Sequence, residues 1–348
     1  MRILITGNMG YIGPVVAAHF RSVWPDAELI GFDTGYFAQC LTAPDEFPER
    51  VLDKQVFGDV RDFPVELLEG VDAVVHLAAL SNDPIGARFE KQTEGINYRA
   101  SVDIASAAAE AGVKSFVFAS SCSVYGYAEG GPRKETDTLT PLTAYARSKI
   151  ATEQALEQLE APDMAITCLR FATACGQSPR LRLDLVLNDF VATALSTGEI
   201  KVLSDGTPWR PLIDVKDMAR AMEWAIKREI DNGGSFVAIN AGRNENNYQV
   251  SQLAEAVAKA IPGTSVSINK DALPDLRSYQ VDFTRFAKAA PEHQPAVSLS
   301  ESIERLVNGL TIAKQAGREV IPAAAKRLTT LERLMDSGRL SDDVRWVN

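Results

Sequence analysis

The first turn of the chain constrains its fold more than any other segment. A short apolar run, residues 2–6 (RILIT), leads straight into Thr6-Gly7-Asn8-Met9-Gly10-Tyr11-Ile12-Gly13, and helical spacing follows over residues 11–24. Glycines at 7, 10 and 13 allow a tight strand-to-helix turn, let the backbone approach a pyrophosphate, and let the helix pack close to the sheet. The free N–H groups and positive dipole end of that helix then face the phosphates. The spacing is GxxGxxG, one residue longer in its first gap than GxGxxG. Pro14 is tolerated because the first helical turn does not use its missing N–H. Asp33 closes the next apolar run, 28–32 (ELIGF), 20 residues beyond Gly13. A carboxylate there accepts hydrogen bonds from an adenosine ribose and repels a 2′-phosphate, so the pattern predicts NAD rather than NADP.

The same rhythm continues. Residues 72–77 (DAVVHL), 113–119 (VKSFVFA) and 164–170 (MAITCLR) are near-continuous apolar runs, as strands buried on both faces of a parallel sheet are. Helical spacing covers 95–112, ended by Gly112, and 144–161, ended by Pro162. Strand, helix and strand in this order predict an α/β fold with a doubly wound parallel sheet and right-handed crossovers. Past residue 176 the pattern loosens. It then gives a helix near 183–197, a Gly/Pro turn at 205–208, RPLIDV, a helix near 216–228 and a strand at 235–239, with terminal helices at 298–318 and 323–337. The expected division is a nucleotide-binding domain (1–173 and 208–239), a smaller interleaved α/β substrate domain (174–207 and 240–318) and a helical tail (319–348).

Charge narrows the partners. Lys and Arg number 36 against 46 Asp and Glu, a net charge of −10 over 348 residues, which argues against a nucleic-acid or anionic-membrane surface. Four cysteines form no CxxC pair and three histidines are scattered, so no metal site is expected. No run reaches the ~18 apolar residues of a membrane span, and the N-terminus lacks the features of a signal peptide. A soluble, cytoplasmic protein is the expectation.

Tyr145-Ala146-Arg147-Ser148-Lys149 places a phenol and an amine four residues apart, on one face of a helix. The lysine cation is expected to stabilise the phenolate and lower the tyrosine pKa from its reference near ~10, which suits a proton shuttle. Strand 113–119 runs into Ser120-Ser121-Cys122-Ser123-Val124-Tyr125-Gly126, at the carboxyl end where such sheets bind ligands. Each motif alone has an ordinary structural reading as a connecting turn, a solvated surface pair or a serine-rich strand end. Their conjunction points to one redox site.

In this order the glycine turn, the strand-end acid, Gly58-Asp59-Val60-Arg61-Asp62, His76-Leu77-Ala78-Ala79, SSCSVYG and YxxxK resemble the extended short-chain dehydrogenases/reductases. The chain looks specifically like the nucleotide-sugar branch of NAD-dependent epimerases and dehydratases, of the UDP-glucose 4-epimerase type. The likeness continues through Leu169-Arg170-Phe171, Arg210-Pro211-Leu212-Ile213-Asp214-Val215, Ile239-Asn240-Ala241-Gly242 and Arg277-Ser278-Tyr279-Gln280-Val281-Asp282, and covers about residues 1–310. It implies that Gly7, Gly10, Tyr11, Ile12 and Gly13 cradle the pyrophosphate and that Asp33 takes the ribose. Asp59 and Val60 would meet the adenine, and Leu77, Ala78 and Ala79 the face of the dinucleotide. Tyr145 would be the acid/base, Lys149 its partner and a nicotinamide-ribose ligand, and Ser121 the assisting hydroxyl.

Substrate candidates by the same likeness are Ser81, Cys122, Thr173, Asn188, Arg210 and Arg277. The two arginines suit a diphosphate because a planar fork can bind two oxygens. Thr173 stands where these epimerases often carry asparagine, and Arg180 and Arg182 are left unassigned. Homodimers built from segments 98–111 and 150–159 are also implied.

Dehydratases of this kind carry a carboxyl directly after the catalytic hydroxyl residue, for general acid–base work at C5 and C6. Cys122 and Ser123 stand there instead, so dehydration is disfavoured. The expected activity is NAD-dependent epimerisation of a nucleoside-diphosphate sugar through a transient 4-keto sugar, with 4-keto reduction as the alternative. A non-catalytic NAD sensor, which would dispense with Ser121, Tyr145 or Lys149, is the rival from another class.

Overall fold

Twelve strands are seen in the computed structural model, which describes residues 1–42, 47–127, 130–272, 278–322 and 325–347. They are β1 (Arg2–Thr6), β2 (Glu28–Asp33), β3 (Lys54–Phe57), β4 (Ala73–His76), β5 (Ser115–Ser121), β6 (Ala165–Phe171), β7 (Thr173–Cys175), β8 (Glu199–Val202), β9 (Trp209–Asp214), β10 (Phe236–Ala241), β11 (Asn247–Gln249) and β12 (Ser265–Ile268). Seven form one sheet in the order β10-β6-β5-β4-β1-β2-β3, and every pairing in it is parallel. The chain winds outward from β1 in one direction and from β4 in the other. The gap between their carboxyl ends is therefore the switch point where ligands bind in such sheets.

The helices are α1 (Gly13–Val23), α2 (Asp83–Arg88), α3 (Glu90–Thr93), α4 (Ala100–Glu110), α5 (Ala144–Glu157), α6 (Val186–Thr197), α7 (Val215–Lys227), α8 (Val250–Ala260), α9 (Thr284–Ala289), α10 (Leu299–Gln315) and α11 (Arg327–Asp336). Side chains alternate across the main sheet. Ile3, Ile5, Val75, Val117 and Leu169 join a core with Phe20 of α1 and Met222 of α7. Leu4, Val74, Phe116, Phe118 and Cys168 join the opposite core with Ile104 of α4 and Leu156 of α5. Helices on both faces explain why these strands read as unbroken apolar runs. Among the described residues no helix is long and apolar enough to cross a membrane.

Strands β1, β2, β4, β5, β6 and β10 lie where hydrophobic periodicity predicts them, within two residues at each end. Periodicity does not reveal β3, an edge strand of four half-exposed residues, nor β7, β8, β11 and β12, which have three or four residues each and are too short to show a pattern. The RPLIDV segment forms β9, which pairs with β7 and β11 instead of the main sheet. Beyond α11 the chain is not helical, and it folds back onto the loops after β2 and β3.

His76 ends β4 beside the switch point. Its Nδ1 lies 2.8 Å from Thr6 Oγ1 and its Nε2 2.9 Å from Ser101 Oγ, between the rings of Phe116 and Phe118. Burial, aided by the Lys149 charge, pushes its pKa down to about 3 from 6.5. Between those values the unfolded chain binds one proton more than the folded chain. Stability present above pH 6.5 is therefore lost progressively as the pH falls toward 3. Urea unfolding of wild type and His76→Asn at pH 7 and pH 5 checks this. The variant should lose less stability on acidification, whereas equal losses would count against a buried neutral imidazole.

Candidate active site

A cavity of about 770 Å³ opens at the carboxyl ends of β1, β4 and β5, within the ~300–1,000 Å³ typical of ligand sites. At one end the glycine turn forms a backbone cradle. Gly7 has φ +72°, and a Cβ there would lie 2.6 Å from the Ala78 nitrogen. A Cβ on Gly13 would lie 2.3 Å from the Asn8 oxygen. Only glycine lets the turn run this close to the end of β4 and to itself. Helix α1 starts at Gly13 with no side-chain cap at Ile12; Pro14 has no N–H and Val15 N donates to the Ile12 carbonyl (3.0 Å), so an anion would be met by the N–H groups at Ile12 and Gly13. Gly7, Gly10, Tyr11, Ile12 and Gly13 line this end, opposite Leu77, Ala78 and Ala79. These donors and the uncapped helix fit a dinucleotide pyrophosphate.

Next to the cradle, the Asp33 carboxylate accepts hydrogen bonds from Met9 N (3.0 Å) and Gly35 N (2.7 Å). Burial pushes its pKa up despite those two donors. The Asp59 carboxylate is gripped by Arg61 through Nε (2.9 Å), Nη2 (2.5 Å) and the backbone N–H (2.9 Å), which fixes the turn carrying Val60. Asp33, Asp59 and Val60 all line the cavity.

The other end is built by α5 against β5. Thr143 caps α5 by accepting from Ala146 N (3.2 Å), and Tyr145 and Lys149 follow one turn apart. Lys149 Nζ donates to the Ala119 carbonyl (2.7 Å) and stands 5.6 Å from the centre of the Tyr145 ring. One turn further, Glu153 accepts from the Ser120 hydroxyl and from Arg170 at 2.7–3.1 Å. Two successive residues of β5 are thereby stapled to two turns of α5. Ser121, the next residue, accepts from Ser123 N (3.1 Å) and lines the same wall of the cavity as Tyr145. Ser121, Tyr145 and Lys149 thus meet at the cavity wall.

The electrostatics differ from the expectation drawn from YxxxK. Burial dominates and pushes Tyr145 up to about 12; Arg182 pulls it down, Asp83 raises it, and the nearby Ser121 hydroxyl lowers it. Lys149, held by a backbone carbonyl, is itself pushed down to about 8 by burial, against the support of Glu153 and Cys168. The phenol is therefore protonated at neutral pH.

Ser81, Thr173 and Arg210 line the cavity as well. Ser81 Oγ accepts from Arg182 (2.9 Å), and Arg210 donates to the Trp209 carbonyl (2.8 Å). Two other candidates lie elsewhere. Cys122 is 0% exposed and its thiol donates to the Arg170 carbonyl (3.0 Å). Asn188 is also 0% exposed, and its amide is spent on Tyr11 Oη, the Arg182 carbonyl and Gly176 N. Both side chains face the interior, Cys122 at the turn after β5 and Asn188 on the buried face of α6 beside Leu187. Arg277 lies outside the described residues. Arg180 is taken by a buried ion pair with Glu49 (2.5 Å), while Arg182 reaches the cavity in a two-point pair with Asp184 (2.8 and 3.0 Å). The Ser123 hydroxyl is buried at the cavity wall with no hydrogen-bond partner among the described residues, which marks a place for a ligand oxygen.

Glu153 is the main residue that sequence reasoning misses. Its signal is the extension of YxxxK by four residues to YxxxKxxxE, on the same helix face. Arg170, its partner, continues to Tyr125 Oη (3.1 Å) and thence to Asn240 Oδ1 (2.7 Å), a connected polar network under the site. Glu153→Ala should cost about 3–5 kcal/mol by leaving Arg170 buried without its counterion. Replacing both, Glu153→Met with Arg170→Met, should recover most of that loss. Urea titrations of the three chains decide it, and a single variant as stable as wild type would refute the role of the pair.

The profile of the NAD dependent epimerase/dehydratase family matches residues 3–242. A UDP-glucose 4-epimerase of Corynebacterium glutamicum is 29% identical over 73% of this chain and 79% of its own length. A dTDP-glucose 4,6-dehydratase of Streptomyces griseus is 27% identical over 88% and 92%. The solved structure of a UDP-glucose-4-epimerase from Stenotrophomonas maltophila, with bound NAD and formylated UDP-arabinopyranose, superposes with a TM-score of 0.75 at 24% identity, covering 91% of this chain and 99% of that one. The chain is a member of the NAD dependent epimerase/dehydratase family, and is an NAD-dependent enzyme.

Proposed function

We propose that the chain is a nucleotide-sugar epimerase that inverts C4 through a transient 4-keto sugar. The observation that carries this reading is the meeting of Ser121, Tyr145 and Lys149 at one end of a cavity whose other end is the glycine cradle with Asp33. The glycine turn would hold the pyrophosphate, Asp33 the adenosine ribose, the Asp59–Val60 turn the adenine, and Leu77 to Ala79 the face of the dinucleotide. When bound, NAD supplies the acceptor for the C4 hydrogen with its electron pair, and returns both.

The chain's own residues manage the proton. Once the phenol proton has left to solvent, Tyr145 Oη takes the proton of the sugar 4-hydroxyl as C4 is oxidised and gives it back when the carbonyl is reduced. Ser121 hydrogen-bonds the same oxygen and fixes its distance from the phenol. A phenol pushed up to about 12 is a ready donor but a costly phenolate. The forward step therefore leans on the Lys149 cation and on Arg182, while Glu153 helps Lys149 keep its charge. Ser81, Ser123, Thr173 and Arg210 would meet the substrate.

Reaction type is supported by the residues after Ser121. Cys122 is fully buried and Ser123 presents a hydroxyl, so neither supplies the carboxyl a dehydration needs there. The Corynebacterium relative, named for C4 epimerisation of UDP-glucose, supports a nucleoside-diphosphate sugar as substrate.

Incubation with UDP-, GDP-, CDP- and dTDP-hexoses without added NADH should yield a C4 epimer. Stoichiometric NADH consumption would make the enzyme a 4-ketoreductase, and a 4-keto-6-deoxy product a dehydratase. Tyr145→Phe should lower kcat by about 10²–10⁴-fold while NAD still binds. Unchanged turnover in that variant would contradict the assigned role.

A further inference from the structure

The family match ends at residue 242, yet the last residues of the chain reach back to the cavity. We propose that the C-terminal segment 340–347 latches the two loops at the adenosine end, with Arg345 and Trp346 as positioning residues that slow the release of NAD. The inference rests on the reading that Asp33 and the Asp59–Val60 turn hold the adenosine.

Those loops follow β2 and β3, the last two strands at one edge of the main sheet. The segment braces both loops. On the first, Trp346 Nε1 donates to the Thr34 carbonyl (2.6 Å), and its ring packs on Tyr36 at 5.6 Å between centroids. Thr34 and Tyr36 themselves line the cavity. On the second, Arg345 pairs with Asp62 and lies 3.9 Å from the Asp59 carboxylate. Arg61, which grips Asp59, donates to the Asp343 and Val344 carbonyls at 2.8 Å each.

The two loops meet at one residue. The Val344 carbonyl accepts from Tyr36 Oη of the first loop (2.5 Å) and from Arg61 Nη2 of the second. Val344 adopts φ +53° with its side chain fully buried, a conformation that a β-branched residue avoids unless its surroundings impose it. Two converging donors and a buried side chain impose it here. Leaving the adenosine end therefore requires either loop to part from a strap that is anchored in the core through Val344 and Leu340. A braced pair of loops lowers the rate of ligand escape without touching the reacting atoms.

The test uses the full-length holoenzyme. NAD release is followed by chasing bound NAD with excess unlabelled nucleotide, for wild type, Arg345→Ala/Trp346→Ala, Trp346→Phe and, as a control on the adenosine assignment, Asp33→Ala. The double variant should release NAD about tenfold faster and raise the KM for NAD, with kcat at saturating NAD little changed. Trp346→Phe keeps the ring but loses the N–H donor, and should fall between. Release within twofold of wild type in the double variant, with Asp33→Ala releasing faster, overturns the latch and leaves the site reading intact. A lower melting temperature with unchanged release overturns it too, since the segment would then brace only the sheet edge. An Asp33→Ala chain that binds NAD as wild type does removes the adenosine assignment, and the latch with it.

Discussion

The attachment of α5 to the end of β5 is the constraint on which the site depends. A tyrosine and a lysine four residues apart are common on helix surfaces and do nothing there. In this chain the helix is pinned where Lys149 meets the Ala119 carbonyl and Glu153 meets Ser120 and Arg170. The pins fall on the two residues before Ser121, so backbone geometry sets the strand-tip hydroxyl and the phenol on one wall of the cavity. Burying three charged groups to do this is costly unless each has a partner. Lys149 has the Ala119 carbonyl, Glu153 has Ser120 and Arg170, and Arg170 is bonded to Tyr125 as well.

The two ends of the cavity are organised differently. The end at Ser121, Tyr145 and Lys149 is held by buried charges between a central strand and a helix. The opposite end is held by backbone proximity at the glycine turn and by carboxylates engaged with N–H groups. Beyond it the chain reaches the sheet edge, where the C-terminal segment meets the loops after β2 and β3. A site that orients a substrate against a bound dinucleotide gains from rigidity at both ends.

Much of this was legible before any coordinates. Both-face burial makes the central strands apolar throughout, so six of them stand out, and the glycine turn with Asp33 marks the switch point. The placement of Tyr145 and Lys149 on one helix face is local and equally plain. What stayed hidden depends on long-range placement. Cys122 and Asn188 sit among site residues in sequence, but the turn after β5 and the buried face of α6 place them inward. Arg180 and Arg182 differ by two positions, and only their partners, Glu49 and Asp184, decide which one faces the cavity. The direction of the Tyr145 shift also depends on burial, which no spacing of residues reports. The role of segment 340–347 follows from contacts spanning some three hundred residues.

The most direct measurement follows a single hydrogen. A nucleoside-diphosphate hexose deuterated at C4 is converted in the presence of an unlabelled dinucleotide pool. If one phenol and one retained cofactor serve both half-reactions, the inverted sugar keeps its deuterium at C4 and the pool stays unlabelled. Deuterium found in the free dinucleotide, or replaced by solvent hydrogen at C4, would contradict that account.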